Sequence, residues 1–346
     1  MTFRPLLLLG LLLSSVPAFS QSSAPARHPE EGRPFIRSYQ PAELGGDFQN
    51  WAIVQDHRGV IYVGSQSGIL EFDGVAWRLI ETPTLDTVRS LAIDDTGRIY
   101  AGSVGELGYL APDAAGELRY VSLVDRLPQN ARRFSDVWRT FATPRGVLFQ
   151  SEEYVFRWED NAMQVIPATS RFNRSSLLDG RLYVTLPESG LNVLDGDTFR
   201  VLPGTAAIAR EVYPLVLRYD DKRLLIGTRS NGLFLYDGAA LVPFPTDVDH
   251  LIKATVLYRG LTLPNGTIAL TTTGSGIVII DRQGHSVTTT LDVSHGLPSN
   301  SAYYLMVDRE GALWTGLDRG VARIETPSPA SFFDRADGFR GSFDLR

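Results

Sequence analysis

Apolar residues along this chain fall in short runs, each bounded by Gly, Asp, Asn or Pro. The clearest runs are Val60-Ile61-Tyr62-Val63-Gly64, Ile99-Tyr100-Ala101-Gly102, Leu224-Leu225-Ile226-Gly227 and Leu313-Trp314-Thr315-Gly316. Weaker copies are Val147-Leu148-Phe149-Gln150, Leu182-Tyr183-Val184-Thr185 and Ile268-Ala269-Leu270-Thr271. Runs this short, rich in aliphatic and aromatic residues, read as strands, because an amphipathic helix would repeat its apolar positions every 3.6 residues. The turn before each run falls at Gly59, Gly97, Gly146, Gly180, Lys222, Gly266 and Gly311, at spacings of 34 to 49 residues. That period belongs to the four-stranded blades of a propeller. The pattern therefore predicts an all-β chain, a seven-bladed β-propeller with four antiparallel strands per blade, over residues 35–326. The blades are expected near 47–82, 87–123, 136–167, 174–203, 213–245, 254–292 and 300–325.

The fifth unit shows the strands best. Strand A is read as Leu215–Tyr219, B as Arg223–Thr228, C as Leu233–Tyr236 and D as Leu241–Phe244. The pairs Asp73-Gly74, Asp195-Gly196 and Asp237-Gly238 mark tight hairpin turns, since positive φ costs Gly nothing and is tolerable at Asp. Antiparallel order puts the A–B and C–D turns on one face and the B–C and D–A connections on the other. The first set is stereotyped. The second varies, from the short Glu81–Asp86 to the long Val124–Ser135 with Arg132, Arg133 and Phe134, so recognition is expected there and around the central channel. Ring closure asks one end of the chain to complete a blade at the other. Phe35–Tyr39 or the later Ser331-Phe332-Phe333-Asp334 can supply that strand.

Residues 1–20 read as a secretory signal peptide, with Arg4, an apolar run from Leu6, and Ala18-Phe19-Ser20 before the expected cut. The apolar core is about half the roughly 20 residues of a membrane span. Residues 21–34 look like a flexible lead-in. Losing Arg4 with the leader takes the formal charge from −6 to −7. This mild acidity argues against a nucleic-acid partner. The chain has no Cys, which excludes thiol chemistry and fits export to a periplasm.

The seventh unit contains Gly296-Leu297-Pro298-Ser299-Asn300, Asp308-Arg309-Glu310-Gly311-Ala312-Leu313-Trp314-Thr315-Gly316 and Gly320-Val321-Ala322-Arg323-Ile324. Unit one matches it through Asp56, Gly59, Tyr62, Val63, Gly64, Gly68-Ile69-Leu70 and Phe72-Asp73. This text resembles the two-component regulator propeller repeat, over residues 47–325, most clearly in units one, five and seven. The resemblance implies an extracytoplasmic sensor propeller at the front of a signalling receptor. It further implies a Tyr-rich β-sandwich, a membrane helix and a cytoplasmic histidine kinase, diguanylate cyclase or DNA-binding output beyond Arg346. The expectation is a fragment of such a receptor, touching the membrane only through that C-terminal region; residues 327–346 would be its start. A complete secreted propeller is the alternative.

Catalytic and metal motifs are absent. His28, His57, His250, His285 and His295 have no ligand spacing, and no nucleophile elbow or phosphate loop occurs. Gly274-Ser275-Gly276 reads as a hairpin turn, and Asp94-Asp95 and Asp220-Asp221 as turn caps. Glu152-Glu153 reads as solvated charge where the repeat has drifted. No cofactor and no metal are expected. The candidate ligand-binding residues are aromatic and basic: Trp51, Arg89, Arg133, Trp138, Arg174, Tyr213, Arg229, Lys253 and Tyr303. Such a face suits a small carbohydrate or peptide, or a protein, offering apolar surface beside hydrogen-bond donors. The function expected is non-enzymatic ligand sensing, with homodimer contacts relaying the signal. A propeller enzyme of lactonase, lyase or glycosidase type, or a protein-interaction platform, is the alternative.

Overall fold

The computed structural model describes residues 34–325 except 47, 212–214, 230 and 287–289. The expected signal peptide, almost all of the expected lead-in, and the tail from 326 onward therefore lie outside the described residues, as do Tyr213 and Ser331–Asp334. The strands group into seven antiparallel sheets, the blades of one ring. Blades 1 to 5 each use four consecutive strands, ordered A-B-C-D from the axis outward. Blade 6 has Leu257–Thr262, Ile268–Thr272 and Ile277–Ile280, with bridges from Ile280 to Ser286 and from Ile277 to Leu291 along its outer edge. Blade 7 closes the circle: Ala302–Val307, Leu313–Leu317 and Val321–Ile324 take Ile36–Tyr39 as their outer strand, in register from Ile36–Ile324 to Tyr39–Val321. In blade 5 the strands run Leu215–Arg218, Leu224–Gly227, Leu233–Tyr236 and Leu241–Phe244, within a residue of the sequence reading.

The core is divided among the seams between neighbouring blades. Seven apolar clusters occupy them, for example Ala52, Ile69 and Ile80 against Val88, Leu91 and Ile99 between blades 1 and 2. Each sheet is thus covered on both faces, so strand B does not alternate. Ile61–Ser65, Ile99–Ser103, Ile268–Thr272 and Leu313–Leu317 are buried at every residue. Each fully buried aliphatic side chain in these strands stabilises the ring by about 1.5–3 kcal/mol.

The glycine ending the strong repeats has a packing cause. A Cβ on Gly64 would sit 2.8 Å from Val88 O, on Gly102 2.3 Å from Val137 Cγ1, on Gly227 2.5 Å from Leu257 Cδ2, and on Gly316 2.5 Å from Asn50 O. In each case the obstacle is the start of the next blade. Another repeated contact ties strand B to the A–B turn. The Tyr100 hydroxyl donates to Asp94 (3.2 Å) and the Trp314 indole N–H to Asp308 (2.9 Å), while Tyr62 OH lies 3.5 Å from Asp56.

The long connection Val124–Ser135 is packed: it forms short 3-10 turns at Val124–Arg126 and Gln129–Ala131 and buries Leu127 and Ala131 beside Phe149 and Phe156. Glu153, read as solvated, is exposed, and it also accepts hydrogen bonds from Ser135 N (3.1 Å), Ser135 Oγ (3.0 Å) and Ser151 Oγ (2.9 Å), anchoring that connection to blade 3. The remaining turn readings hold. Asp94 accepts from Thr96 N and Arg98 N, Asp220 from Lys222 N and Arg223 N, and Gly274–Gly276 turn between two strands of blade 6.

Candidate ligand-binding site at the propeller axis

The site arises from a defect repeated in strand A. In blades 1, 2, 6 and 7 the A–B register slips by one residue, between Asn50 and Ala52, Val88 and Ser90, Leu257 and Arg259, and Ala302 and Tyr304. A bulge of this kind leaves one residue without a cross-strand partner and re-aims its side chain. The bulged residues are Trp51, Arg89, Tyr258 and Tyr303. Trp138 and Arg174 precede the first paired residues of blades 3 and 4, Arg139 and Ser175. Blade 5 would supply its counterpart from 212–214, outside the described residues.

These six side chains meet in a closed cycle. Trp51 and Tyr303 stack with centroids 4.4 Å apart and planes 6° apart. The Arg89 guanidinium lies 4.4 Å from the Trp51 ring and 4.8 Å from Trp138. Arg174 lies 4.2 Å from Trp138 and 4.5 Å from Tyr258, and Tyr258 is 5.1 Å from Tyr303. Trp51 also lies 6.5 Å from Trp138 and 6.4 Å from Tyr258, so the six form one contiguous disc of contacts around the axis. Because strand A begins at the D–A connection, the disc lies at the variable-face mouth of the channel. Cations held over aromatic faces gain about 0.5–2 kcal/mol per contact, more where water is excluded.

Two carboxylates support the disc. Asp136 holds Arg89 through Nε at 2.6 Å. Asp318 accepts from Tyr303 OH at 3.1 Å and from Gln49 Nε2 at 3.0 Å. Burial, together with the Asp318 charge, pushes the Tyr303 hydroxyl well above its ordinary pKa, so it is a fixed neutral donor. The Trp51 indole N–H is buried with no acceptor among the described residues.

Of the sequence-predicted residues, Trp51, Arg89, Trp138, Arg174 and Tyr303 converge here. Arg133, Arg229 and Lys253 are not among the contacts of the disc. Arg133 and Arg229 are exposed, and Lys253 pairs with Asp249 at 2.9 Å in the short helix Asp249–Ala254, which also carries His250. Tyr213 falls outside the described residues. Tyr258 belongs to the disc and was not among the predicted residues, although its alignment with Trp51 and Tyr303 at the head of strand A is the signal that finds it.

Among the described residues no group of three or more His, Cys, Asp or Glu is arranged to hold a metal, and no helix is long and apolar enough to cross a membrane. Clefts lie elsewhere, one of about 250 Å³ near Arg145, Arg157 and Gly196, one of about 400 Å³ between Leu79 and Tyr120, and one of about 340 Å³ near Asp94, Tyr100 and Trp158. None of these three includes a residue of the disc.

No family model matches the chain, and no curated protein matches it in sequence. Solved structures match it in shape. Two are extracellular domains described as belonging to hybrid two-component systems of B. thetaiotaomicron. One is 17% identical with a TM-score of 0.65, covering 84% of this chain and 39% of that one. The other is 16% identical with a TM-score of 0.65, covering 86% of this chain and 42% of that one. A streptogramin B lyase is 14% identical with a TM-score of 0.64, covering 85% of this chain and 98% of the lyase. The likeness is one of fold. This chain spans about two fifths of the length of those two extracellular domains.

Proposed function

We propose that this propeller is the ligand-recognition domain of a bacterial extracytoplasmic sensor, exported by residues 1–20 and acting in the periplasm. The axial disc carries the reading. Four aromatic rings and two guanidinium groups from six blades converge at one mouth of the channel, where the expected face for recognition lies. Flat apolar surface beside oriented donors suits a sugar ring or a short peptide. A ligand there touches several blades at once, so its binding free energy couples to how the blades sit against one another and against whatever docks on the ring. It shifts signalling in proportion to its preference for one of those arrangements.

The extracellular domains of two-component systems with a similar fold support this reading, and so does the resemblance of the repeats. The similar lyase fold keeps an enzyme in view as the second reading. Acid–base work at the disc would require a free carboxylate, whereas Asp136 is held by Arg89 and Asp318 by Tyr303 and Gln49.

Calorimetric titration of residues 34–346 against neutral oligosaccharides and short peptides tests the proposal. A ligand bound one-to-one by the wild type and weakened about tenfold or more by Trp51→Ala, the loss expected when one stacking surface is removed, supports it. Equal binding by Trp51→Ala and wild type, or turnover of the bound ligand, overturns it.

A further inference from the structure

Beneath the disc lies a second layer that the reading above does not use. Past the bulge, the next strand A residues are Arg139 in blade 3, Arg259 in blade 6 and Tyr304 in blade 7, paired with Gln150, Thr271 and Gly316. Those three partners occupy one position of the repeat, so Arg139, Arg259 and Tyr304 share one level around the axis. Arg259 rests its guanidinium 4.0 Å from the Tyr304 ring. Arg174 descends from the disc and is itself buried. Arg139 is 7% exposed, and its one hydrogen bond among the described residues is from Nη1 to Trp138 O at 3.3 Å. Neither Arg139 nor Arg259 has an acidic partner among the described residues.

A buried guanidinium without a counter-charge is expensive, since ionic groups in protein interiors are normally paired. Burial and the nearby Arg174 and Arg259 charges push Arg139 down to about 9, against 12.5 ordinarily. It nonetheless stays protonated at neutral pH, and its charge is retained at a cost to the fold. The Trp51 N–H is a further donor lacking an acceptor.

We infer that the channel beneath the disc is an oxyanion site, in which Arg139 and Arg259 receive a carboxylate or sulfate group of the ligand. The site takes an acidic sugar or an acidic peptide side chain, with the flat part of the ligand against the aromatic rings and its anionic group in the channel. A guanidinium fork suits this, because it donates two parallel hydrogen bonds to a planar carboxylate. The inference rests on the sensing proposal for its ligand class, but not for its chemistry.

The test uses residues 34–346 and their Arg139→Met and Arg259→Met variants. Probes are trigalacturonate, neutral galactotriose and inorganic sulfate, with chloride at matched ionic strength as reference. The expected result is one-to-one binding of trigalacturonate, or specific stabilisation by sulfate, weakened about tenfold or more in both variants, the scale of one hydrogen bond to a charged group. Arg139→Met should also unfold at a higher temperature than the wild type without ligand, because it removes an unpaired buried charge while keeping an apolar stem. That outcome separates loss of binding from loss of folding. A response to trigalacturonate alone assigns the carboxylate, and a response to sulfate alone assigns a sulfated ligand. Equal responses in the wild type and Arg139→Met overturn the inference, as does the absence of any response beyond chloride. Binding of galactotriose that depends on Trp51 and is indifferent to Arg139 overturns it too, while leaving the sensing proposal standing.

Discussion

Gly102 stands next to last in the strand Ile99–Ser103, facing the start of another blade. A methyl there would stand 2.3 Å from Val137 Cγ1, across the seam at the start of blade 3, and 2.7 Å from Ser90 Oγ on strand A of its own blade. Its φ is not in the left-handed region, so the demand is for space rather than for backbone freedom. Overpacking of a closed core costs about 1–3 kcal/mol. Gly102→Ala is therefore expected to lower the thermal unfolding midpoint, whereas Gly180→Ala, at a turn with open space but positive φ, acts through backbone strain alone. Differential scanning fluorimetry on both variants checks this, and an unchanged midpoint for Gly102→Ala refutes the packing account. The same position shows how much the residues disclose. Where the repeat weakens, Gln150, Thr185 and Thr271 replace the glycine, and Gln150 uses its side chain to accept from Ser175 Oγ across the seam at 2.9 Å. A drifted letter in the repeat thus marks a seam built with polar contacts.

Turns and strands obey local chemistry, and this made most of the fold legible. Asp, Asn and Gly at regular intervals placed the hairpins, and buried runs of Val, Ile and Leu placed strand B. The bulges were not legible, because a one-residue slip leaves no mark in composition. For that reason Trp51, Arg89, Trp138, Arg174 and Tyr303 were found by residue type, whereas Tyr258 and the layer of Arg139 and Arg259 were missed. The turn aspartates also set the acid limit of the fold. The carboxyl of Asp73 is held below its ordinary 3.8 by the backbone N–H groups of Ala76 and Val75, and Asp237 by those of Ala240 and Ala239. Asp113 is held down by Ala115 N and the Arg119 side chain, and Asp220 by Arg223 and Lys222 N, to about 2. A depressed folded-state pKa gives stability that is present above the unfolded value and lost as pH falls through the folded one. Glu106 works in the opposite sense. Burial raises it, so its contribution grows as pH falls through its raised value. Thermal midpoints are expected to drop between about pH 4 and pH 2, following the aspartates. Replacing all four aspartates by Asn keeps an acceptor in each turn and removes the titration, so the variant should lose part of that acid limb. An identical pH profile would refute the assignment.

At the scale of the whole molecule, seven seams must close at once, and the last is closed by four residues from far along the chain. Tyr39, 3% exposed, stacks on Trp314 at 5.7 Å and meets Phe72 at 5.2 Å and Trp77 at 5.4 Å, so it joins blade 7 to blade 1. Truncating a buried aromatic of this kind costs about 3–5 kcal/mol. Removing the whole strand does more. It leaves Val321–Ile324 as an open edge, with unpaired N–H and C=O groups that can pair with another chain. Deletion of residues 34–39 is therefore expected to lower the unfolding midpoint further than Tyr39→Ala and to produce soluble aggregates on size-exclusion chromatography. Because the strand is held by backbone pairing and by the aromatic pocket around Tyr39, a peptide of sequence Pro34–Gln40 should bind the deleted protein and restore its midpoint as peptide concentration rises. The same peptide carrying Ala in place of Tyr39 should do so more weakly. A deleted protein that is monomeric and as stable as the intact ring would mean that the seam between blades 7 and 1 holds without its strand.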